Sequence, residues 1–316
     1  MNHLSFAPTP INKLTYYSNL FNLNLFCKRD DLFAEAGGGS KARMLQYIMA
    51  DVNKNNCDVV VTAGGPCSNF NRACALMCAK IGVKMHLIEY TNEPSEWESL
   101  NYYLCKLANI QTTRCDKNLV SQTIQDVITK YKNKSLKIKN IYGGGGRSLQ
   151  GIYAYYEAIR EINNQINKID HLFLACGTGT TLTGICAGMQ ELFPNAQIHA
   201  ISTARTYEME KITLIENISM LNNYLGTKYN FNNMFFSDQY LCGGYAKYTD
   251  DLFATIKECI SKEGMVIDPT YSGKAFYGMK QTILKEPQKY EGTNVLFWNT
   301  GGIINLLSTK NDFETI

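Results

Sequence analysis

The sequence predicts an α/β protein with a largely parallel sheet, and two observations carry this prediction. Short runs of β-branched and apolar residues alternate with amphipathic segments of helix length along the 316 residues. Glycine clusters follow several of the apolar runs and precede helix-like sequence. Strand–helix alternation of this kind is typical of parallel sheets, because parallel neighbours need a crossover connection.

The first half of the chain supplies two strand–helix pairs. Residues 58–65, DVVVTAGG, predict a buried strand that ends in a glycine turn. Residues 68–82, SNFNRACALMCAKIG, carry apolar side chains at helical spacing and end in glycine, which predicts a helix. A strand is expected for KMHLIEY at 84–90 and a helix for SEWESLNYYLCKLAN at 95–109.

The second half continues the alternation. Strands are expected for IDHLFLACGTG at 169–179, AQIHAIST at 196–203 and NVLFWNTGG at 294–302, and a helix for TTLTGICAGMQELF at 180–193. These segments are compatible with one sheet or two, and the pattern alone does not place a domain boundary.

The glycine clusters indicate a ligand site. They are Gly64–Gly65, Gly143–Gly146, the pair Gly177 and Gly179, and Gly301–Gly302. In open parallel sheets, ligands bind outside the carboxyl ends of the strands, where such turns lie. Glycine also ends strands that bind nothing, yet four clusters favour a binding edge.

Composition narrows the class of protein. The net charge of +3 is spread along the chain without a dense basic run, which argues against a nucleic-acid surface. No run of about 18 apolar residues predicts a membrane span, and residues 1–14 lack the apolar core of a secretory leader. The 11 cysteines and four histidines show no metal-ligand spacing, so a cytoplasmic protein with reduced thiols and no metal is expected.

Residues 176–184, CGTGTTLTG, predict an anion site between a strand and a helix. Consecutive backbone N–H groups at a helix N-terminus bind a phosphate without any basic side chain, and hydroxyls add donors. Leu182 stands where a dinucleotide fingerprint needs glycine, so a nucleotide site is disfavoured. The structural alternative is that Thr180 or Thr181 acts only as a helix N-cap.

Residues 34–48, AEAGGGSKARMLQYI, place Lys41 after three glycines and a serine. A Walker A loop needs glycine before the lysine and Ser or Thr after it, and neither is present. A lysine in a glycine-lined site can instead form a Schiff base, because burial favours its neutral amine. A solvated lysine in a first helix turn is the alternative. The separate phosphate site favours pyridoxal 5′-phosphate, which needs both an imine lysine and an anion cradle.

Six motifs resemble the 1-aminocyclopropane-1-carboxylate deaminase and D-cysteine desulfhydrase family of fold type II, tryptophan-synthase-β-like, pyridoxal-phosphate enzymes. Residues 27–48 resemble the family's Schiff-base segment, and TAGGPCSNFNRACA resembles its G-G-x-Q-S-N-H-x-R segment. Residues 142–162 resemble the entry to the second domain, and CGTGTTLTGICAG the phosphate loop. IDPTYSGKAFYGM resembles D-P-x-Y-[ST]-G-K-A, and NTGG the terminal H-T-G-G. The matches run in order from about residue 8 to 306.

The resemblance implies two open, largely parallel, three-layer α/β domains and a homodimer. Residues 1–46 with 151–316 would form the large cofactor-binding domain, and residues 47–150 a small inserted domain.

The resemblance also implies the role of each site residue. Lys41 would form the internal aldimine and move the substrate α-proton, and Ser68 would lie beside the substrate. The cofactor's O3′ would meet Asn69, its ring Tyr271 and its pyridine nitrogen Thr300. Its phosphate would be held by Gly177, Thr178, Gly179, Thr180 and Thr181. Because a neutral hydroxyl does not force protonation of the pyridine nitrogen, Thr300 favours elimination or replacement over transamination.

Four positions depart from the family pattern. Cys67 and Phe70 stand where the family has Gln and His, and both are expected to contact the substrate. Asn299 replaces a histidine, and Ser40 replaces an asparagine. Because unmatched polar groups in a pocket change substrate preference strongly, these changes bear on the substrate more than on the cofactor.

The expected reaction is β-elimination from a small amino acid, as in D-cysteine desulfhydration, releasing ammonia and a 2-oxo acid. Ring-opening deamination of aminocyclopropane carboxylate and β-replacement on an amine or thiol are the enzyme alternatives. A cofactor-binding module without turnover is the alternative from another class.

Overall fold

The computed structural model describes residues 1–91, 99–141 and 146–309. Gly143, Gly144 and Gly145 of the second glycine cluster lie outside the described residues, as do residues 95–98 of a predicted helix. The described strands are β1 (Ile11–Lys13), β2 (Asn24–Arg29), β3 (Val59–Gly64), β4 (Lys84–Glu89), β5 (Gln111–Arg114), β6 (Ile138–Asn140), β7 (His171–Cys176), β8 (Gln197–Ser202), β9 (Met234–Ser237) and β10 (Asn294–Asn299).

These strands form two sheets. The larger has six strands in the order β1-β2-β10-β7-β8-β9, and the smaller has four in the order β5-β4-β3-β6. Every pairing is parallel except that of β1 with β2. The predicted parallel α/β class is therefore confirmed.

Twelve α-helices connect the strands in the described part of the chain. They are α1 (Thr15–Phe21), α2 (Gly39–Lys54), α3 (Asn69–Ile81), α4 (Leu100–Leu107), α5 (Val120–Lys132), α6 (Leu149–Asn163), α7 (Thr180–Leu192), α8 (Tyr207–Leu225), α9 (Asp250–Glu263), α10 (Ser272–Lys285), α11 (Pro287–Tyr290) and α12 (Ile303–Ser308). None of these described helices has the length and apolar character needed to cross a membrane.

Alternate side chains of the central strands enter two different hydrophobic clusters. On β7, Leu172 and Leu174 pack with residues of α2, α6 and α7, whereas Phe173 packs with residues of α9 and α10. The six-stranded sheet is therefore covered on both faces, which gives three layers. The smaller sheet has the same arrangement, since Val60 joins the first cluster and Val61 packs against α5.

Local signals set the helix ends. Helix α3 begins after Ser68, whose Oγ accepts from the Asn71 N–H, and ends at Gly82 in the left-handed conformation. Helix α7 begins after Gly179 without a side-chain cap, so the alternative in which Thr180 or Thr181 caps it is wrong.

Candidate active site

A cavity of about 600 Å³ lies at the carboxyl ends of β3, β7 and β10. Three of the predicted glycine turns line it, with the first turns of α2, α3 and α7. The structure brings every predicted site residue to this one cavity: Lys41, Cys67, Ser68, Asn69, Phe70, Gly177, Thr178, Gly179, Thr180, Thr181, Tyr271 and Thr300. They come from segments up to 259 positions apart in the chain (300 − 41). From the sequence, only the rule that ligands bind at the carboxyl ends of parallel strands places these segments together.

The glycines before Lys41 allow two backbone segments to touch. Gly39 has φ +88°, and a Cβ placed on it would lie 2.8 Å from the carbonyl oxygen of Thr300. The next residue, Ser40, donates its N–H to that same oxygen at 2.9 Å. Ser40, which differs from the family pattern, therefore contributes its backbone to a contact that holds the start of α2 against the end of β10.

The Lys41 amine is desolvated and free. Its side chain is half-buried in the cavity wall, and within the described residues Nζ has no hydrogen bond or ion pair. Burial lowers the pKa of Lys41 to about 8, so far more of the neutral nucleophile exists near neutral pH than for a solvated lysine. This environment disfavours the alternative of a solvated first-turn lysine.

An ionic cluster under α2 fixes the helix that carries Lys41. Arg43, two positions on, contacts Asp30 at 2.7 Å and Glu161 at 2.8 Å. Tyr155 donates to Asp30 at 2.9 Å, and Lys28 pairs with Glu161. Burial alone raises the pKa of Asp30, but Arg43 more than offsets this and holds it below its usual value. The cluster stays charged and ties α2 to α6 and β2.

The first turn of α7 has the geometry expected of the predicted anion cradle. Gly179, its N-cap, has φ +67° and offers no side chain, so the N–H groups that follow have no side-chain acceptor from the cap. The hydroxyls of Thr178 and Thr180 lie 3.2 Å apart beside them. Helix dipole and free N–H groups together favour a phosphate at this end of the cavity.

Arg205 lines the same cavity and was missed from the sequence. It follows the end of β8 and pairs with the buried Glu210 of α8 at 3.1 Å. Glu210 in turn lies beside Gly179, because a Cβ on that glycine would meet its Oε1 at 2.8 Å. The cradle was expected to work without a basic side chain, and the structure adds the Arg205 guanidinium to the cavity wall.

Residues at the start of α3 form the opposite wall. Asn101 of α4 donates to the Asn69 side-chain oxygen at 3.2 Å and to the Cys67 carbonyl at 3.1 Å. Because its oxygen accepts this hydrogen bond, Asn69 keeps its Nδ2 available as a donor. A contact to an acidic oxygen of a ligand requires such a donor. Asn101 was not predicted, since an asparagine in a helix gives no sequence signal of such a contact.

The two departures at this wall differ in character. Cys67 is half-buried and contributes a small side chain to the lining. Phe70 is 2% exposed and packs on Gly146, where a Cβ would lie 2.5 Å from the ring. Phe70 therefore presents only part of its ring to the cavity and also packs against the entry to α6.

Tyr271 is held by the turn before α10. The buried Asp268 accepts the N–H groups of Thr270, Tyr271 and Ser272, at 2.8 to 3.1 Å. Burial raises the pKa of Asp268 to about 6. The Tyr271 hydroxyl lies 2.9 Å from that of Tyr245, which also lines the cavity and was not predicted. A Gly-Gly-Tyr sequence after β9 was the available signal.

Thr300 and Asn299 separate into a cavity residue and a structural residue. The Thr300 side chain lines the cavity and its hydroxyl has no hydrogen bond within the described ranges. Asn299 is fully buried, donates to the Val266 carbonyl and accepts from the Gly301 N–H, both at 3.1 Å. Asn299, which stands where the family has a histidine, therefore stabilises the turn that carries Thr300.

The residues present fit pyridoxal phosphate. A free, desolvated amine, an uncapped helix N-terminus and a neutral hydroxyl share one cavity large enough for the cofactor and a small amino acid. Within the described ranges, no three or more His, Cys, Asp and Glu side chains are grouped to hold a metal ion.

Comparison with known proteins gives one family. The model of the family described as "Pyridoxal-phosphate dependent enzyme" matches residues 3–301. The chain is 29% identical to the mitochondrial bifunctional D-cysteine desulfhydrase/1-aminocyclopropane-1-carboxylate deaminase of Arabidopsis thaliana, over 99% of this chain and 80% of that protein. It is also 29% identical to a D-cysteine desulfhydrase of Klebsiella pneumoniae, over 94% and 92% of the two chains.

A solved structure described as an ACC deaminase homologue is similar throughout. Its TM-score is 0.89 at 28% identity, and the alignment covers 99% of this chain and 95% of that one.

Proposed function

Because the chain belongs to the family of pyridoxal-phosphate dependent enzymes, we propose that it eliminates the α-proton and the β-substituent of a small amino acid. Water then hydrolyses the released enamine to ammonia and a 2-oxo acid. D-cysteine is the reference substrate, since it is the substrate in the names of the Arabidopsis and Klebsiella relatives. One observation carries the proposal: the free amine of Lys41 and the uncapped start of α7 line one cavity.

The cofactor would be held at three places. Lys41 would bind it covalently, the segment Gly177–Thr181 would accept its phosphate, and Asn69 and Thr300 would contact its ring, against which Tyr271 would pack. When bound, pyridoxal phosphate supplies an electron sink for the bond broken at the α-carbon. Thr300 is neutral and does not force a proton onto the ring nitrogen, which suits elimination.

Proton movement would fall to this chain's own residues. Once displaced from the cofactor, the Lys41 amine is a base with a pKa lowered by burial, suited to take the α-proton near neutral pH. The Ser68 hydroxyl accepts from the Asn71 N–H and keeps its own proton to donate to a substrate group. Tyr271, paired with Tyr245, would exclude water and face the leaving group. Cys67 and Phe70 would contact the substrate side chain.

Ring-opening deamination of aminocyclopropane carboxylate is the second candidate. It is favoured by the bifunctional name of the Arabidopsis relative and by the similarity to the ACC deaminase homologue. Both reactions begin with a proton or bond change at the α-carbon, so the same cavity residues would serve. β-Replacement remains a third outcome of the experiment below.

The molecular setting is also proposed. Residues 47–150 contain the four-stranded sheet and would form the small domain, with 1–46 and 151–316 as the large one. The eleven cysteines lack the paired spacing of a disulfide framework, which supports a cytoplasmic location. Exposed Met209, Ile212 and Ile215 on α8 would contribute to a homodimer interface.

A product screen tests the reaction. The cofactor-loaded protein is given D-cysteine, L-cysteine, D-serine, O-acetylserine or aminocyclopropane carboxylate, and sulfide, pyruvate and 2-oxobutyrate are measured. Sulfide and pyruvate from D-cysteine are expected, and 2-oxobutyrate from aminocyclopropane carboxylate would support ring opening instead. No keto acid from any substrate, with Lys41→Ala as the blank, would overturn the proposal and leave β-replacement to be tested with an added thiol.

A further inference from the structure

A second buried lysine, unused in the roles above, lies behind the Tyr271 wall of the cavity. Lys274, three residues after Tyr271 on α10, is 0% exposed. Its Nζ donates to the carbonyl oxygens of Leu241 at 2.7 Å, Gly244 at 2.5 Å and Thr203 at 3.4 Å. Burial lowers the pKa of Lys274 to about 8, so at neutral pH the group is mostly the ammonium, with three donors.

The charge at this position is costly, and the buried Asp268 offsets it only in part. The charge of Asp268 raises the pKa of Lys274 by less than burial lowers it, and within the described ranges Lys274 forms no ion pair. A lysine ammonium taken out of water is strongly disfavoured unless its hydrogen bonds are satisfied. Three backbone carbonyls satisfy them here. A lysine retained at such a cost fixes the segments that supply those carbonyls.

The segment around Gly244 needs such fixing. Cys242 and Ala246 have φ of +51° and +52°, a conformation that costs a non-glycine residue about 1–2 kcal/mol. Gly243 and Gly244 between them are also left-handed. A backbone of this kind persists only where the surroundings determine it. Lys274 binds carbonyls at two of its positions.

The fixed segments form the cavity wall. Tyr245, Ala246 and Lys247 line the cavity, and the Tyr245 hydroxyl lies 2.9 Å from that of Tyr271. Thr203 precedes Ala204 and Arg205, which line the cavity as well. Lys274 thus joins two wall segments to the helix that begins directly after Tyr271.

We propose that Lys274 is a positioning residue that holds residues 241–247, and Tyr245 above all, against Tyr271 to build the substrate side of the cavity. It acts through main-chain carbonyls and touches no reacting group. That this side receives the substrate rests on the proposed function, whereas the fixing of the segment does not.

Matched variants of two buried lysines test the inference. Lys274→Met removes all three donors, and Lys274→Gln keeps two. Lys28→Met is the control, because Lys28 is also 0% exposed but contacts Thr9, Glu161 and Gln165 away from the cavity lining. Each cofactor-loaded protein is compared with wild type by amide hydrogen exchange of residues 241–249, by cofactor Kd and by kcat/KM on D-cysteine.

Lys274→Met should raise exchange of residues 241–249 about tenfold and lower kcat/KM by a similar factor, with cofactor Kd within about twofold of wild type. Exchange and kcat/KM of Lys274→Gln should lie between those of wild type and Lys274→Met. If Lys274→Met does not fold, Lys274→Gln alone tests the inference. Lys28→Met should leave exchange of 241–249 unchanged. Unchanged exchange in the folded Lys274 variants, or an equal rise in exchange of residues 241–249 in Lys28→Met, would overturn the inference. Absence of D-cysteine elimination by wild type would overturn only the proposed function, since exchange still decides the role of Lys274.

Discussion

Helices α2 and α7 both begin at the cavity, and they differ in what they present to it. Helices α2 and α7 each begin after a left-handed glycine, Gly38 and Gly179, with no side-chain cap. Helix α3, by contrast, is capped by Ser68. The first turn of α2 carries Lys41, which burial makes a reactive amine, whereas the first turn of α7 presents backbone N–H groups and threonine hydroxyls.

The comparison shows two ways in which an uncapped helix start serves one ligand. At α2 the glycines allow the backbone to contact Thr300 closely. This contact leaves room in the cavity for a ligand beside Lys41. At α7 the missing cap leaves the donors themselves for an anion. Under the proposed function, covalent attachment would therefore depend on one side chain, and phosphate binding on the backbone. The two should respond to mutation differently.

The largest effect is expected for Lys41→Ala. Loss of the amine removes both covalent attachment and the base, so turnover of D-cysteine should fall by roughly 10³-fold or more. Phosphate binding should survive, so the variant should still hold cofactor noncovalently. Steady-state sulfide release and equilibrium dialysis measure the two properties. Turnover within about tenfold of wild type would remove Lys41 from the reaction.

Gly179→Ala should weaken cofactor binding without removing it. A Cβ there would lie 2.7 Å from the Leu214 side chain and 2.8 Å from that of Glu210, so these side chains or the start of α7 must shift. We expect cofactor Kd to rise about tenfold or more. Separately, the folded state should lose about 1–2 kcal/mol of stability, because any non-glycine residue is strained at positive φ.

Gly226→Ala is the matched control for that conformational cost. Gly226 ends α8 at a similar φ of +69°, but no atom of the described residues lies within 4 Å of its Cβ position. Its cofactor Kd should equal that of wild type, and Gly226→Ala should lose less thermal stability than Gly179→Ala, because only the latter adds steric contacts to the conformational cost. Equal cofactor affinity in the two variants would contradict a cradle at α7.

The pH dependence of cofactor capture sharpens the contrast. Only the neutral amine reacts, and burial lowers the pKa of Lys41 to about 8 from its usual 10.5. The capture rate of cofactor-free protein, followed by stopped-flow absorbance, should therefore rise about tenfold per pH unit below 8 and level off above it. N-acetyl-lysine methylamide is the control for an unperturbed amine. A rise that continues to pH 10 would mean that the Lys41 amine is solvated.

The smallest effect is expected for the α7 hydroxyls. Thr180→Val removes the contact with Thr178, worth about 0.5–1.5 kcal/mol, so cofactor Kd should rise only a few-fold. Thr123→Val, which removes a similar hydroxyl contact on α5, should leave cofactor Kd unchanged. A loss as large as that of Gly179→Ala would move the main phosphate contact from backbone to side chain.

Sequence reasoning reached the fold and most of the site because both depend on local signals. Continuous apolar runs locate β3 and β7, and apolar side chains at helical spacing locate α3. Glycines mark the strand ends that line the cavity. The resemblance to fold type II enzymes is confirmed by the family match and the ACC deaminase homologue.

Residues that reach the site by long-range packing could not be predicted. Asn101, Arg205 and Tyr245 come from segments without a catalytic motif. Only the folded chain brings Arg205 and Tyr245 to the cavity lining and Asn101 into contact with Asn69. The structural role of Asn299 could not be predicted either. Its side chain contacts two backbone groups, the Val266 carbonyl and the Gly301 N–H, which only the folded turn brings within reach. Lys274 lies within a recognised motif, but its carbonyl acceptors lie 30 to 71 positions away.

Borohydride reduction followed by peptide mapping tests the central claim most directly, that the amine on α2 and the cradle on α7 serve one cofactor. The loaded protein should carry a single reduced pyridoxyl-phosphate adduct on the peptide containing Lys41. In Gly179→Ala the same peptide should be labelled, but only at higher cofactor concentration, while Gly226→Ala should label as wild type does. An adduct on Lys274, Lys247 or any other lysine in place of Lys41, or labelling of Lys41 that is indifferent to Gly179, would contradict the account.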